Sequence, residues 1–198
     1  MQAGAAAAGD EPHEHSGVSE VDATILTALR TRDRKTALSL CARHHGAAVG
    51  RLCMALVGSQ AEADDLVQET LLAALDGFEG FRAEGTVVAW LFSIARRKCA
   101  RLLERRSRQT ARLRLVHDSS RATPPDDLVL ARERAQRARA ALDTVRPSER
   151  EAVLLRYQAG LSFRELGEAL GIDEAAARKR VSRALARLRE ALDPRSDR

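Results

Sequence analysis

The sequence predicts an all-α chain: two small helical domains joined by a flexible linker. Three observations predict it. Apolar residues recur at helical spacing from Val21 to about Leu103 and again towards Leu192. No segment shows the period-two alternation of a half-buried strand. Between the two blocks, Ser107, Ser119-Ser120 and Pro124-Pro125-Asp126-Asp127 break the pattern, and proline pairs among small polar and acidic residues do not sit inside a helix. The expected division is a disordered tail over 1–20, a first domain over 21–106, a linker over 107–130 and a second domain over 131–193. At 198 residues neither domain has a large core.

Residues 1–19 are small and polar, with His13-Glu14-His15 as the one oddity, and they lack the basic and apolar segments of a signal peptide. No apolar run approaches the roughly 20 residues that span a bilayer, so membrane insertion is not expected and the cytoplasm is. The net charge of +5 and pI near 9.7 favour an anionic partner. Three cysteines, an odd number, argue against a disulfide framework.

Turns are expected near Asp33, at Gly58-Ser59 and over Gly77–Gly85. Between the first two, Cys41, His44, His45 and Cys53 invite a metal site. If 35–57 is one helix, Cys41 and Cys53 lie about 18 Å apart along its axis and cannot share an ion. Cys41 and His44 share the apolar stripe of Ala37, Ala48, Leu52 and Ala55, which places them in the core. No metal or other cofactor is assigned. No Ser/His/Asp constellation, phosphate-cradling glycine loop or catalytic carboxylate pair stands out, so enzymatic chemistry is not expected either.

The helix from Gln60 to Asp76 has two faces. Ala63, Leu66, Val67, Thr70, Leu71 and Ala74 pack inward, while Asp65, Gln68, Glu69 and Leu72 share another side. Carboxylates beside an amide repel phosphate and suit a basic protein partner. The alternative is that Asp64 and Asp65 only favour the helix N-terminus through its dipole. The next helix, from about Thr86 to Arg106, buries Val88, Leu91, Ala95, Cys99 and Leu102. Its second half carries Arg96, Arg97, Lys98, Arg101, Arg105 and Arg106 against the single acid Glu104. Trp90 and Phe92 precede that patch, and Phe78 and Phe81 lie in the loop before it. Cations next to aromatic rings suit single-stranded nucleic acid, although Phe92 and Phe81 are assigned to packing.

In the second domain Pro147 opens a helix, and residues 148–192 read as a helix-turn-helix. Ser162 and Glu165 form a capping box for the helix through Leu170, whose apolar face is Phe163, Leu166 and Leu170. Gly171 stops it and Asp173 caps the next. In that last helix Ala177, Val181, Leu185, Leu188 and Leu192 recur at the helical period, while Arg178, Lys179, Ser182, Arg183 and Arg187 turn outward. Six basic residues and no acid lie between Arg178 and Arg189. A solvated face usually mixes signs, so the unmixed run favours phosphate.

Ala63-Asp64-Asp65-Leu66-Val67-Gln68-Glu69, Phe78-Glu79-Gly80-Phe81-Arg82 and Ala89-Trp90-Leu91-Phe92-Ser93-Ile94-Ala95-Arg96 resemble the second conserved region of bacterial sigma factors of the extracytoplasmic-function (ECF) group. Arg146-Pro147-Ser148-Glu149-Arg150-Glu151, Leu154-Leu155-Arg156-Tyr157, Gly160-Leu161-Ser162 and Arg180-Val181-Ser182-Arg183-Ala184 resemble the fourth. The resemblance implies that Asp65, Gln68 and Glu69 dock on the β′ clamp helices of core RNA polymerase, and that the second domain meets its β flap. It implies that Trp90, Arg96, Arg97, Lys98, Arg101 and Arg105 bind the promoter −10 element, with the Asp76–Gly85 loop cradling a flipped base. It implies that Arg164, Arg178, Lys179, Ser182, Arg183 and Arg187 contact the −35 element, and that an anti-sigma factor is a partner. The chain departs from the common pattern at Arg97 (usually Asn), at Arg101 (often Asp) and at Ala175-Ala176-Ala177 (commonly small-Thr-Val), so the family's −10 base preference and −35 register are not carried over to it. An autonomous helix-turn-helix regulator is the alternative, and it leaves the acidic face and the Trp-led basic helix unexplained.

Overall fold

Asp33 illustrates how local chemistry sets the first helix boundary. Its carboxylate accepts the Thr36 N–H at 3.0 Å and the Thr36 hydroxyl at 2.7 Å, so it caps the helix that follows, and those bonds lower its pKa. In the computed structural model, which describes residues 20–113, 140–142 and 144–192, α1 (Glu20–Arg30) precedes that cap and α2 (Arg34–Val57) follows it. Gly58, in the left-handed conformation at φ 76°, ends α2 and donates to the Met54 carbonyl. Then come α3 (Gln60–Gly77), a short 3-10 turn η1 (Phe78–Gly80) and α4 (Val87–Leu113). The second block holds α5 (Pro147–Tyr157), α6 (Phe163–Leu170) and α7 (Glu174–Leu192). The described residues contain no strand, and no helix among them is long and apolar enough to cross a membrane.

In the first block α2 packs on α1, α3 and α4. Ile25, Cys41, Leu52, Cys53, Leu66, Leu91, Phe92 and Cys99 are buried at their junction. All three cysteines are free and buried there, with Cys99 Sγ 3.6 Å from Cys53 Sγ. Burial, aided by the Asp22 charge, pushes the Cys41 thiol up to about 12. Cys41 therefore sits in the core as expected. His44 does not: it is exposed, and its neighbour His45 turns in instead, its Nε2 3.4 Å from the buried Asp22 Oδ1. The registers differ because α1 supplies a carboxylate to the side of α2 on which His45 lies, an inter-helix partner that α2 alone does not reveal.

The linker was expected to begin at residue 107, but α4 runs on to Leu113. The segment is mostly Arg, Gln, Ala and Leu, good helix formers, and Ser107 and Thr110 do not stop it. Side chains also support it, Arg108 Nε donating to the Glu104 carbonyl and Arg106 Nη1 to the Val57 carbonyl at 2.9 Å. The tail at 1–19 and the rest of the linker lie outside the described residues.

The second block closes on a small core of Leu154, Leu155, Leu161, Leu166, Ala177 and Val181. The capping box is formed: Ser162 Oγ accepts the Glu165 N–H at 3.2 Å while the Glu165 carboxylate accepts the Ser162 N–H at 2.8 Å. Asp173 caps α7 through the Ala176 N–H at 2.7 Å. Gly167 carries no Cβ where α6 and the turn touch; one would sit 2.7 Å from the Ile172 carbonyl oxygen.

The two blocks pack together through α4 with α6 and α2 with α5. The N-terminus of α4 is where they join. Its backbone donors are met by three side chains from three places: Thr86 Oγ1 takes Ala89 N–H at 3.2 Å, Asp22 takes Val87 N–H at 3.0 Å, and Glu168 of α6 takes Thr86 N–H at 3.0 Å. Two carboxylates at the positive end of a helix dipole are favourably placed.

Candidate functional site

Three surfaces carry the side chains that the sequence singled out. On α3, Asp65, Gln68 and Glu69 are all exposed on one face. Leu72 lies one turn further and is 60% exposed, so an apolar side chain stands in water beside two carboxylates. Large isolated apolar groups are common on surfaces; one framed by acids and an amide at helical spacing suits a protein partner with basic residues around an apolar contact. Glu69 is also paired with Lys98 of α4 at 3.0 Å. The acidic face and the basic helix are thus neighbours joined at one edge.

The second surface is built on Trp90. Its ring lies 4.9 Å from that of Phe81 and 5.7 Å from that of Phe78, in tilted contacts. Phe78 is buried, Phe81 and Trp90 half-buried. Gly77 allows this approach, since a Cβ there would lie 3.0 Å from Trp90 Cζ2. Beside the indole opens a groove of 380 Å³ lined by Gly77, Gly80, Trp90, Arg97, Lys98 and Arg101. An aromatic wall with three cations at its mouth can receive an unstacked base while holding the flanking phosphates. Phe92 is fully buried, in keeping with its assignment to packing.

Not every basic residue of α4 faces that groove. Arg97, Arg101 and Arg105 are exposed. Arg96 turns instead to the second block, its Nη1 3.5 Å from Glu151 Oε2. Arg106 turns to α3, where it pairs with Glu62. These partners are 55 and 44 residues away in sequence respectively, as the numbering gives, so helix spacing alone does not find them.

The third surface is α7. Arg178, Lys179, Ser182 and Arg183 are exposed, as expected. Arg178 lies over the Phe163 ring at 4.2 Å and pairs with Glu174 at 2.8 Å. Arg164, on α6, pairs with Glu168 at 3.4 Å. Arg187 does not turn outward: it is half-buried and ion-paired to Glu149 of α5. Glu149 is a buried carboxylate that also meets Arg183, with Nε to Oε1 at 3.6 Å. In the sequence Glu149 reads as an ordinary first-turn acid after Pro147, and only the packing of α5 on α7 gives it two arginines.

No group of three or more His, Cys, Asp or Glu side chains among the described residues is arranged to hold a metal ion.

Residues 41–109 match the family Sigma-70 region 2, and residues 135–188 match Sigma-70, region 4. The chain is similar to the ECF RNA polymerase sigma factor EcfG of Rhodopseudomonas palustris, 31% identical over 68% of this chain and 74% of the relative. It is also similar to SigM of Mycobacterium tuberculosis, 30% identical over 89% of this chain and 84% of SigM. The match to SigE of Mycolicibacterium smegmatis, at 30% identity, spans 76% of this chain and 59% of SigE. Among solved structures, CnrH in complex with the cytosolic domain of CnrY shares the fold, with a TM-score of 0.66 over 90% of this chain and all of CnrH at 23% identity. The sigma factor RpoE in complex with the anti-sigma factor NepR from Bartonella quintana gives a TM-score of 0.60 over 84% of this chain and 99% of RpoE at 29% identity.

Proposed function

The chain belongs to the ECF RNA polymerase sigma factors, and from that premise we propose how its surfaces divide the work of starting transcription. The exposed α3 face of Asp65, Gln68, Glu69 and Leu72 docks on core RNA polymerase at the β′ clamp helices. The Trp90 groove, with Arg97, Lys98, Arg101 and Arg105, holds the non-template strand of the −10 element once it opens. The second block sits at the β flap and lays α7 in the major groove of the −35 element, where Arg178, Lys179, Ser182 and Arg183 face the DNA and Arg164 meets the backbone beside it. Arg96 joins the −10 contacts after leaving Glu151.

The observation that carries this reading is the Trp90 groove. A duplex-binding regulator has no use for an aromatic wall ringed by cations, whereas a protein that captures an unpaired strand does. The protein acts by binding and strand separation and forms no covalent intermediate with its substrate. Its place of action is the cytoplasm, where core polymerase and promoter DNA are. An anti-sigma factor is the expected inhibitor, since a similar sigma factor has been solved bound to one.

The test is permanganate footprinting of unpaired thymines on promoter DNA incubated with core polymerase and this chain. Reactive thymines near −10 that depend on the chain and vanish with Trp90→Ala support the reading. Thymine reactivity unchanged by Trp90→Ala removes the groove from the account.

A further inference from the structure

Glu149 is buried, with only 4% of its side chain exposed, yet its two oxygens go to two different arginines of α7. Arg183 and Arg187 are one helical turn apart, so their side chains leave α7 on the same side. Glu149 lies in the first turn of α5, where the helix dipole favours an anion and Pro147 fixes the start of the helix.

The two arginines are held differently. Arg187 is half-buried and closes on Oε2. Arg183 is 64% exposed, and it is its Nε that faces Oε1, at 3.6 Å. A guanidinium has five N–H donors in a rigid fork. With the Nε edge towards Glu149, Nε–H and the one terminal N–H parallel to it face the protein, while the two N–H donors at the end of the fork, one on Nη1 and one on Nη2, point away from it. Those are the donors that form bidentate contacts to guanine O6 and N7 in the major groove.

We propose that Glu149 is a specificity-determining positioning residue: through Arg183 it sets which base edge the last helix reads, and Arg187 serves as the anchor that keeps Glu149 in place. The inference rests on the proposed reading of α7 as the −35 helix. Electrostatics supports it further. One buried anion shared by two cations lowers the charge that this end of α7 offers to any phosphate, so contact there depends more on geometry than on counterion release. The ion pair to Glu149 biases Arg183 towards one orientation before it meets DNA, which lowers the ordering cost of binding. Lys179, one turn before Arg183, is exposed, and Arg178 pairs with Glu174 rather than with Glu149.

The experiment uses holoenzyme, assembled from the full chain and core RNA polymerase, transcribing a library of promoters randomised upstream of the start. Sequencing the transcribed templates gives a base-preference profile for both promoter elements in one reaction. With Glu149→Gln, preference at one or two adjacent −35 positions falls by about fivefold or more, the factor that about 1 kcal/mol of base discrimination corresponds to. The −10 profile stays as in wild type. That unchanged −10 profile separates lost positioning from lost folding, which lowers all transcription without reshaping one element. A −35 profile within twofold of wild type for Glu149→Gln, while Arg183→Ala flattens it, overturns the inference and leaves the reading of α7 intact. A wild-type profile with no −35 preference overturns the reading itself. Should Glu149→Gln give too few transcripts to sequence, Arg187→Gln provides the same readout. With the anchor gone, the carboxylate draws Arg183 inward, so the same positions lose preference; an unchanged profile then overturns the inference.

Discussion

Arg96 on α4 and Glu151 on α5 meet across the two blocks of the chain, Nη1 to Oε2 at 3.5 Å. Burial raises the Glu151 carboxyl above its usual range, while Arg96 and Arg180 pull it down without prevailing. A carboxyl whose folded pKa is raised favours the folded state most below its unfolded pKa, about 4.3, and that contribution is lost as pH rises through the folded value. Above the folded value burial therefore sets the Glu151 carboxylate against the folded state, even with Arg96 beside it.

Glu151→Gln is accordingly expected to be at least as stable as wild type near pH 7.5, with the difference closing towards pH 4. Urea unfolding at the two pH values measures it. A variant clearly less stable than wild type at pH 7.5 would show that the ion pair outweighs the burial of the carboxylate.

Charge reversal on α3 has a cleaner target in Asp65 than in Glu69, because Glu69 is tied to Lys98 and Asp65 stands in solvent. Asp65→Lys is expected to weaken binding to core polymerase by about tenfold or more while leaving the melting temperature unchanged, since surface substitutions rarely exceed about 0.5 kcal/mol. Fluorescence anisotropy with labelled chain and unlabelled core reports the affinity. Equal affinity for wild type and variant would take the acidic face out of the interface.

Trp90→Ala removes a ring in contact with Phe78 and Phe81 and is expected to cost about 2–3 kcal/mol, less than for a fully buried tryptophan. Trp90→Phe keeps an aromatic wall on the groove and is expected to retain most of the strand opening. Thermal unfolding of both variants, alongside footprinting, separates lost packing from lost base capture; equal opening by both variants would count against stacking.

How far these features were legible in the sequence depends on how far apart the partners lie. Ser162, Glu165, Gly171 and Asp173 were readable because a cap is made with residues three or four positions away. The inward stripe of α3 and the outward Asp65, Gln68 and Glu69 followed from helical period alone. What escaped is what other elements supply. Arg187 and Arg96 have acidic partners on α5, His45 has one on α1, and the end of α4 is held by Val57 of α2. In the sequence Arg187 and Arg96 read as DNA-facing cations, His45 as part of a candidate metal site, and residue 107 as the start of the linker. The basic run on α7 illustrates both sides: its sign was visible, but that Glu149 takes Arg183 and Arg187 was not.

The capping box itself gives a local test. Ser162→Ala removes the hydroxyl that accepts the Glu165 N–H and is expected to cost about 1 kcal/mol. Chemical denaturation of the full chain measures it. A loss near zero would mean that the reciprocal Glu165 bond holds the α6 N-terminus unaided.

Run-off transcription with core RNA polymerase, with and without this chain, on a promoter library tests the central claim most directly. The account predicts transcripts that appear only with the chain and whose templates share two short upstream elements. No chain-dependent transcript, together with sequence-specific duplex binding by the chain alone, would contradict it and make the protein an autonomous regulator.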